Sequence, residues 1–329
     1  MVAFITRILL LVQLAIAAAI AYVLKHFFGM HIASAMLSAA GMLLLLRMLI
    51  TANNFRLSWR FRSDTPPAER ITLRHAWRLY LEEFRASLFS SSWSMPFGAF
   101  AGHHSAKSRG LPVLLIHGYG CNSGYWRSMS RLLGTAGITH RAVSLEPVFG
   151  DIDSFVPAVH AAVENLCHAT GSRRVVLLAH SMGGLVARAY LCAHGEARIA
   201  RVITLGTPHH GTGLANFGLG SNSEQMRWVI NKSSNGNSNA CSGEYGDGRG
   251  GTPSAWLQEL AAREGPQRYG LFTSIYSHHD NIIAPQTSAH LPGARNIALH
   301  GVGHVALGLN PQVQKIVIDE ILAAAPDAG

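Results

Sequence analysis

The stretch from Arg173 to His194 does more than any other to limit how this 329-residue chain can fold. Arg173–Ala179 reads as a buried strand around the apolar run Val175–Leu178. Ala179-His180-Ser181-Met182-Gly183-Gly184 follows, and a helical pattern runs from about Met182 to His194. A run that is apolar at every position suits a strand covered on both faces, and a strand passing within a few residues into a helix is half of a βαβ unit. Beyond Leu111 the chain repeats this alternation. Pro112–His117, Arg141–Leu145, Ile199–Leu205, Tyr269–Tyr276 and Arg295–Leu299 are further strand candidates. Helices are predicted from about Ser154 to Ala169 and from near Pro311, whose fixed φ suits a first helical turn. Such an order predicts an α/β fold, a mostly parallel sheet with helices on both faces.

The N-terminus has a different character. Hydrophobic residues make up 48% of the chain and charged residues 14%, too apolar for an ordinary soluble enzyme, and the excess lies mostly in the first fifty residues. One apolar segment runs from about Ile8 to Leu24, broken only by Gln13. A second runs from about Phe27 to Ile50, with His31 near its start and Arg47 near its end. Each approaches the roughly 20 residues that cross a bilayer as helix, so residues 1–50 are predicted to form a transmembrane hairpin. A cleavable signal peptide, with Arg7 as its charged region and Ala19-Ile20-Ala21 as cleavage site, is the competing reading of the first segment. In either scheme Arg47, Arg56, Arg60 and Arg62, at or just past the second segment, place the remainder in the cytoplasm, at the inner membrane.

The formal charge of +9 fits this arrangement, because arginines follow directly behind the hairpin. An anionic membrane surface is the better partner for them, and no aromatic-interleaved basic motif suggests nucleic acid. Residues 51–110 then read as a basic juxtamembrane linker containing an amphipathic helix from about Ala68 to Leu88. Leu73, Trp77, Tyr80, Leu81, Phe84 and Leu88 recur at helical spacing, with Arg70, Arg74, Arg78 and Arg85 over much of the other face. That helix packs either on the following domain or on lipid. Residues 111–329 form the main domain. Within it residues 221–252, rich in Gly, Asn and Ser, read as a surface-loop insertion.

Cys121, Cys167, Cys192 and Cys241 lack CxxC spacing. Cys167 and Cys192 fall in helices as buried apolar residues, and Cys121 and Cys241 fall in loops as reduced thiols in a cytoplasmic domain. The pairs His103-His104, His209-His210 and His278-His279 do not suit one metal, since adjacent side chains diverge. Neither a metal nor a cofactor is expected.

A serine on a tight strand-to-helix turn projects its hydroxyl above the sheet, and Ser181 is the candidate nucleophile. A base must take its proton and an acid must orient that base. Where a serine is mounted this way, the acid and the base follow it in that order along the chain. Asp280, after the strand Tyr269–Tyr276, suits the acid better than Glu244 or Asp247 in the insertion, or Glu259 and Glu264 near a helix. His304, in Gly301-Val302-Gly303-His304 after the last strand, suits the base better than His300. A developing oxyanion needs two donors. The backbone N–H of Met182 is one, and that of Tyr119, in His117-Gly118-Tyr119-Gly120, is the other. His117, Gly118, His180 and Gly183 support the turn and the oxyanion loop.

These motifs, together with Thr204-Leu205-Gly206-Thr207-Pro208-His209-His210-Gly211-Thr212, resemble the bacterial triacylglycerol lipase and esterase group of the α/β-hydrolase superfamily. The resemblance covers about Leu111 to Leu322. It implies an α/β-hydrolase fold with Ser181, Asp280 and His304 as triad and Tyr119 and Met182 as oxyanion donors. The hairpin and the 221–252 insertion depart from secreted members and shift the expected substrate from extracellular fat to an acyl ester or lipid at the membrane. The leading reading is a membrane-anchored serine hydrolase cleaving carboxylic esters through an acyl-enzyme. An acyltransferase or thioesterase with the same triad, or a catalytically retired binding protein, are the alternatives.

Overall fold

Two long helices open the chain in the computed structural model, which describes residues 1–105, 108–230 and 251–324. Helix α1 (Val2–Phe28) ends at Gly29, whose φ of 64° turns the chain back, and α2 (Ile32–Trp59) returns alongside it. Their contact is built on Ala21, Ala35 and Ala39, small residues that let two helix backbones approach. Most of their remaining apolar surface is open, and both are long and apolar enough to cross a membrane. Helix α2 continues past Ile50 through Asn53, Asn54 and Arg56, so the helix outlasts the apolar run by more than two turns.

Helix α3 (Leu73–Phe89) starts at Thr72, whose hydroxyl accepts the His75 N–H. A π turn over Ser90–Ser94 and the short helix α4 (Met95–Phe97) lead into the main domain. The face that packs is only partly the one the apolar spacing suggested: Phe84 is buried and Tyr80 and Leu88 are half-buried, as that spacing expects. Leu73 and Trp77 stand 85% and 62% exposed, whereas Leu79, Glu83, Ala86 and Ser90 are buried. Those positions, spaced by four, three and four, are one side of a helix. A glutamate within the packed face is what concealed it from a hydrophobicity pattern.

In the main domain the elements are β1 (Gly102–His103), β2 (Val113–Ile116), α5 (Arg127–Thr135), β3 (His140–Val143), α6 (Val156–Thr170), β4 (Val175–His180), α7 (Met182–His194) and β5 (Ile199–Leu205). Then come α8 (Ser221–Gln225), β6 (Trp228–Ile230), β7 (Gly251–Pro253), α9 (Ala255–Arg263), β8 (Phe272–Ser277), β9 (Arg295–Leu299) and α10 (Pro311–Ala323). Seven strands form one sheet in the order β1-β3-β2-β4-β5-β8-β9, parallel except for the antiparallel edge strand β1. Central strands divide their side chains by alternation. Val175, Leu177 and Ala179 pack with α6 and α7 on one face, and Val176 and Leu178 pack with α5 and α10 on the other. This two-sided burial is why β4 is apolar at consecutive positions.

Helix α5 is missing from the sequence reading because its polar Arg127, Ser128, Ser130 and Arg131 surround the buried pair Met129 and Leu133. Tyr269–Leu271 belongs to a 3₁₀ turn, so β8 begins at Phe272. The 221–252 insertion is not a surface loop at its ends. Asn222, Ser223, Gln225, Met226 and Trp228 are buried, and β6 pairs antiparallel with β7, Trp228 opposite Pro253. Residues 231–250, with Cys241, Glu244 and Asp247, lie outside the described residues. Cys121, Cys167 and Cys192 are free thiols, Cys192 only half-buried.

Candidate active site

The chain runs from β2 out to β3 and then crosses back to β4, on the other side of β2. Loops leaving the carboxyl ends of β2 and β4 therefore diverge to opposite faces, and a crevice opens between them. Ser181 closes β4 and Gly118 follows β2. The two meet there: a Cβ on Gly118 would lie 2.9 Å from the Ser181 Cβ.

Ser181 has φ 54° and ψ −127°, the sole positive φ of a non-glycine among the described residues. A backbone held in such a region costs on the order of 1–3 kcal/mol and persists only where its surroundings fix it. Here Ser181 N donates to Leu205 O at 2.9 Å, and Ser181 O accepts from Thr207 Oγ1 at 2.9 Å and Gly184 N at 3.0 Å. Gly183 lets α7 start directly against β2, since a Cβ there would stand 2.6 Å from Ile116 O. Met182 is the first residue of α7, and helix geometry leaves its N–H without an intrahelical acceptor.

The loop after β2 is fixed by His117, whose Nε2 accepts Leu145 N–H at 3.0 Å while Nδ1 donates to Gly118 O at 2.9 Å. Burial pushes this imidazole down to about 4, so it is neutral and acts as a brace between β2 and β3. Tyr119 is half-buried, and its hydroxyl donates to Leu219 O at 2.8 Å and accepts from Leu219 N at 3.0 Å. His180 is buried beneath Tyr125, ring centroids 4.4 Å apart, and its Nε2 donates to His304 O at 3.1 Å. Burial, then the neighbouring His304, hold His180 well below the usual imidazole range.

His304 and Asp280 meet from two loops. His304 Nδ1 lies 2.8 Å from Asp280 Oδ2, and the other carboxylate oxygen accepts Ile282 N and Ile283 N, each at 2.8 Å. Both side chains are buried. The pair fixes the tautomer: Nδ1 carries the proton donated to Asp280, leaving Nε2 as the basic nitrogen. Burial alone would depress the His304 pKa, but the Asp280 and Glu83 carboxylates outweigh it and the net displacement is upward. Three further residues shape the site that the sequence reading left without a role. Asn281 Oδ1 accepts His304 N at 3.0 Å, Thr207 ties the serine turn, and Gly206 passes beneath. The Thr204–Thr212 stretch, directly after the strand beside β4, was the available signal for two of them.

The rival residues lie elsewhere. His300 is exposed and pairs with Glu69 at 3.0 Å. Glu259 is exposed on α9, and Glu264 is buried against Arg188, whose Nε donates to it at 3.0 Å. Among the described residues no three His, Cys, Asp or Glu side chains are grouped to hold a metal ion.

A family profile for the alpha/beta hydrolase fold matches residues 112–231. Two curated proteins named triacylglycerol lipase are similar. The one from Pseudarthrobacter phenanthrenivorans is 32% identical over 114 residues, covering 32% of this chain and 35% of that protein. The one from Burkholderia plantarii is 32% identical over 114 residues, covering 32% of each. The chain thus spans about a third of the length of these relatives. Among solved structures, the mature form of a Bacillus licheniformis lipase superposes with a TM-score of 0.54 at 18% identity, over 68% of this chain and 97% of that one.

Proposed function

We propose that this chain, similar over its hydrolase domain to bacterial lipases of the α/β-hydrolase superfamily, is a membrane-anchored carboxylic-ester hydrolase. The observation that carries the reading is the buried His304–Asp280 pair at 2.8 Å, tied to the strained Ser181 turn by the preceding residue, His180, whose Nε2 donates to His304 O. In this reading His304 Nε2 takes the Ser181 hydroxyl proton as Oγ attacks the ester carbonyl. The N–H groups of Tyr119 and Met182 receive the oxyanion. As the tetrahedral adduct collapses, His304 gives its proton to the leaving alcohol, and an acyl-enzyme remains on Ser181. Water, deprotonated by the same nitrogen, then releases the acid and restores the serine.

Anchoring rests on the exposed apolar surface of α1 and α2. Leu14, Phe27 and Leu37 are each about two-thirds exposed or more, at 66%, 78% and 74%, and lipid is the medium that covers such a surface without penalty. Arg47, Arg56, Arg60 and Arg62 favour the cytoplasmic side of the inner membrane for the domain. Phe61, just past α2, packs on Gly213, where a Cβ would meet its ring. That turn leads to the exposed Phe217 and Leu219 beside Tyr119, so the apolar approach to the crevice lies next to the end of the anchor. This supports an acyl ester drawn from the membrane as substrate.

The test is labelling of the full-length protein, in detergent, by a fluorophosphonate, with hydrolysis of a short-chain nitrophenyl ester measured in parallel. Ser181→Ala should abolish labelling and lower turnover on the order of 10⁴-fold or more, since the triad acts as a unit. Labelling that survives the substitution refutes the assignment.

A further inference from the structure

The helix that precedes the hydrolase core places a carboxylate against its innermost loop. Glu83, on α3, is 1% exposed. Its Oε1 accepts Val305 N–H and its Oε2 accepts Ala306 N–H, each at 3.0 Å. A Cβ on Gly303 would stand 2.5 Å from Glu83 Oε2, so the carboxylate also occupies the space beside the residue before His304. The histidine is therefore bracketed on both sides along the chain.

Other groups hold the same loop backbone. Asn281 takes the His304 N–H, His180 donates to the His304 carbonyl, and Tyr125 OH lies 3.2 Å from Val305 O and accepts from Gly308 N at 3.1 Å. Of these, Glu83 alone is a carboxylate and alone comes from residues before the hydrolase domain. No lysine or arginine among the described residues forms an ion pair with it. Taking an unpaired carboxylate out of water is costly, and a leucine would pack the same face of α3 without that cost.

We propose that Glu83 is a positioning residue of the active site: through the amides of Val305 and Ala306 it fixes the loop that aims His304, and it sets a second negative charge behind the His304–Asp280 pair. The proposal rests on Ser181, Asp280 and His304 working as described above. As Ser181 gives up its proton, His304 becomes an imidazolium, and a fixed negative charge nearby favours that form. The ionisable groups around the loop are Asp280 and His279 from the turn after β8, His279 Nδ1 accepting Gly301 N at 3.2 Å, His180 from β4, Tyr125 from the turn before α5, and Glu82 and Glu83 from α3. Burial pushes the Glu83 carboxyl up and the Asp280 charge adds to this, the two amides and His304 oppose it, and the net displacement is upward. The same contact makes α3, and with it the end of the membrane hairpin, part of the catalytic geometry. Glu82, one residue earlier, accepts from Asn310 Nδ2 at 2.6 Å and ties α3 to the far end of that segment.

The experiment compares wild type, Glu83→Gln and Glu83→Asp as full-length proteins in detergent, by ester hydrolysis from pH 5 to 9 and by thermal melting. Glu83→Gln keeps the size, loses the charge and turns one acceptor into a donor facing an N–H. Its kcat should fall about tenfold with KM within about twofold, and its acid limb should move down by about one pH unit. Glu83→Asp keeps the charge at shorter reach, so its acid limb should stay with wild type while kcat falls. A Glu83→Gln limb that coincides with wild type, whatever the melting temperature, reduces Glu83 to packing and overturns the proposal. If Glu83→Gln does not fold, Glu83→Asp decides, and full kcat in that variant overturns it equally. A wild type that no fluorophosphonate labels refutes the hydrolase reading itself, which is distinct from a labelled wild type matched by its variants.

Discussion

Gly206→Ala asks whether the space beneath the His304–Asp280 pair is as tight as it stands. Gly206 has φ 54°, in the left-handed region, which costs a residue with a side chain roughly 1–2 kcal/mol. Its added Cβ would lie 2.7 Å from Leu307 Cδ1, 3.1 Å from Asp280 Oδ2 and 3.2 Å from His304 Nδ1. Leu307 must give way, an overpacking cost of roughly 1–3 kcal/mol, and the carboxylate and imidazole must shift by a few tenths of an ångström. Together these predict a loss of about 2–5 kcal/mol and, for a domain of this size, a fall in melting temperature of about 5–15 °C. A misplacement of 1 Å costs about 10²-fold in rate, so the smaller shift here should lower kcat by about tenfold or somewhat more. Gly171 supplies the control, with φ 68° and no atom within 4 Å of an added Cβ. Gly171→Ala should carry the backbone cost alone and leave kcat unchanged. Ester hydrolysis and thermal melting of the two variants side by side separate the contributions. If Gly206→Ala turns over within threefold of Gly171→Ala, the wedge argument fails.

Two further outcomes follow from the same geometry. His304 is raised above the ordinary imidazole value of 6.5 and must be neutral to act as base, so the acid limb of kcat/KM should lie above 6.5. Asp280→Asn should bring that limb down and cut kcat about 10⁴-fold by removing the charge and the tautomer together, and a limb below 6.5 in wild type would contradict the assignment. On topology, a fluorescent protein joined to the C-terminus should fluoresce in cells, whereas alkaline phosphatase joined there should stay inactive. Active phosphatase would place the domain across the membrane and remove the cytoplasmic reading.

The legible part of the fold was the part where one physical requirement dominates. β5 and α7 lie at the residues the pattern predicts, because an interior strand buries most of its positions and Gly195 marks the stop of α7, and β9 lies at its predicted residues too although it is an edge strand with Arg295 and Ala298 exposed. α5 buries only Met129 and Leu133 within nine residues, too few to announce a period among arginines and serines. β1 is two residues long and pairs only at the sheet edge, so its existence depends on β3 rather than on its own composition. The β6–β7 hairpin draws its partners from either side of a Gly- and Asn-rich stretch, and Trp228 alone hints that one end is buried.

At the candidate site the same distinction holds between what a residue is and what it touches. Ser181, Asp280 and His304 have side chains with a chemistry that a reader of the sequence looks for, and their order along the chain narrows the choice. Gly206 and Asn281 act through space and through backbone contacts, and neither property is written in residue type. Glu83 is the harder case. A glutamate on a helix that also carries Arg74, Arg78 and Arg85 reads as one more charge on a solvated face, and the exposed Leu73 and Trp77 draw attention to the opposite side. Only the rotation of α3 about its own axis, set by Leu79 and Ala86 packing inward and by Tyr80 donating to Met48 O at 2.7 Å, turns Glu83 toward Val305 and Ala306. That rotation is fixed by α2 behind it. The hairpin that any reader would assign to the membrane therefore also determines which way the last carboxylate before the hydrolase domain points.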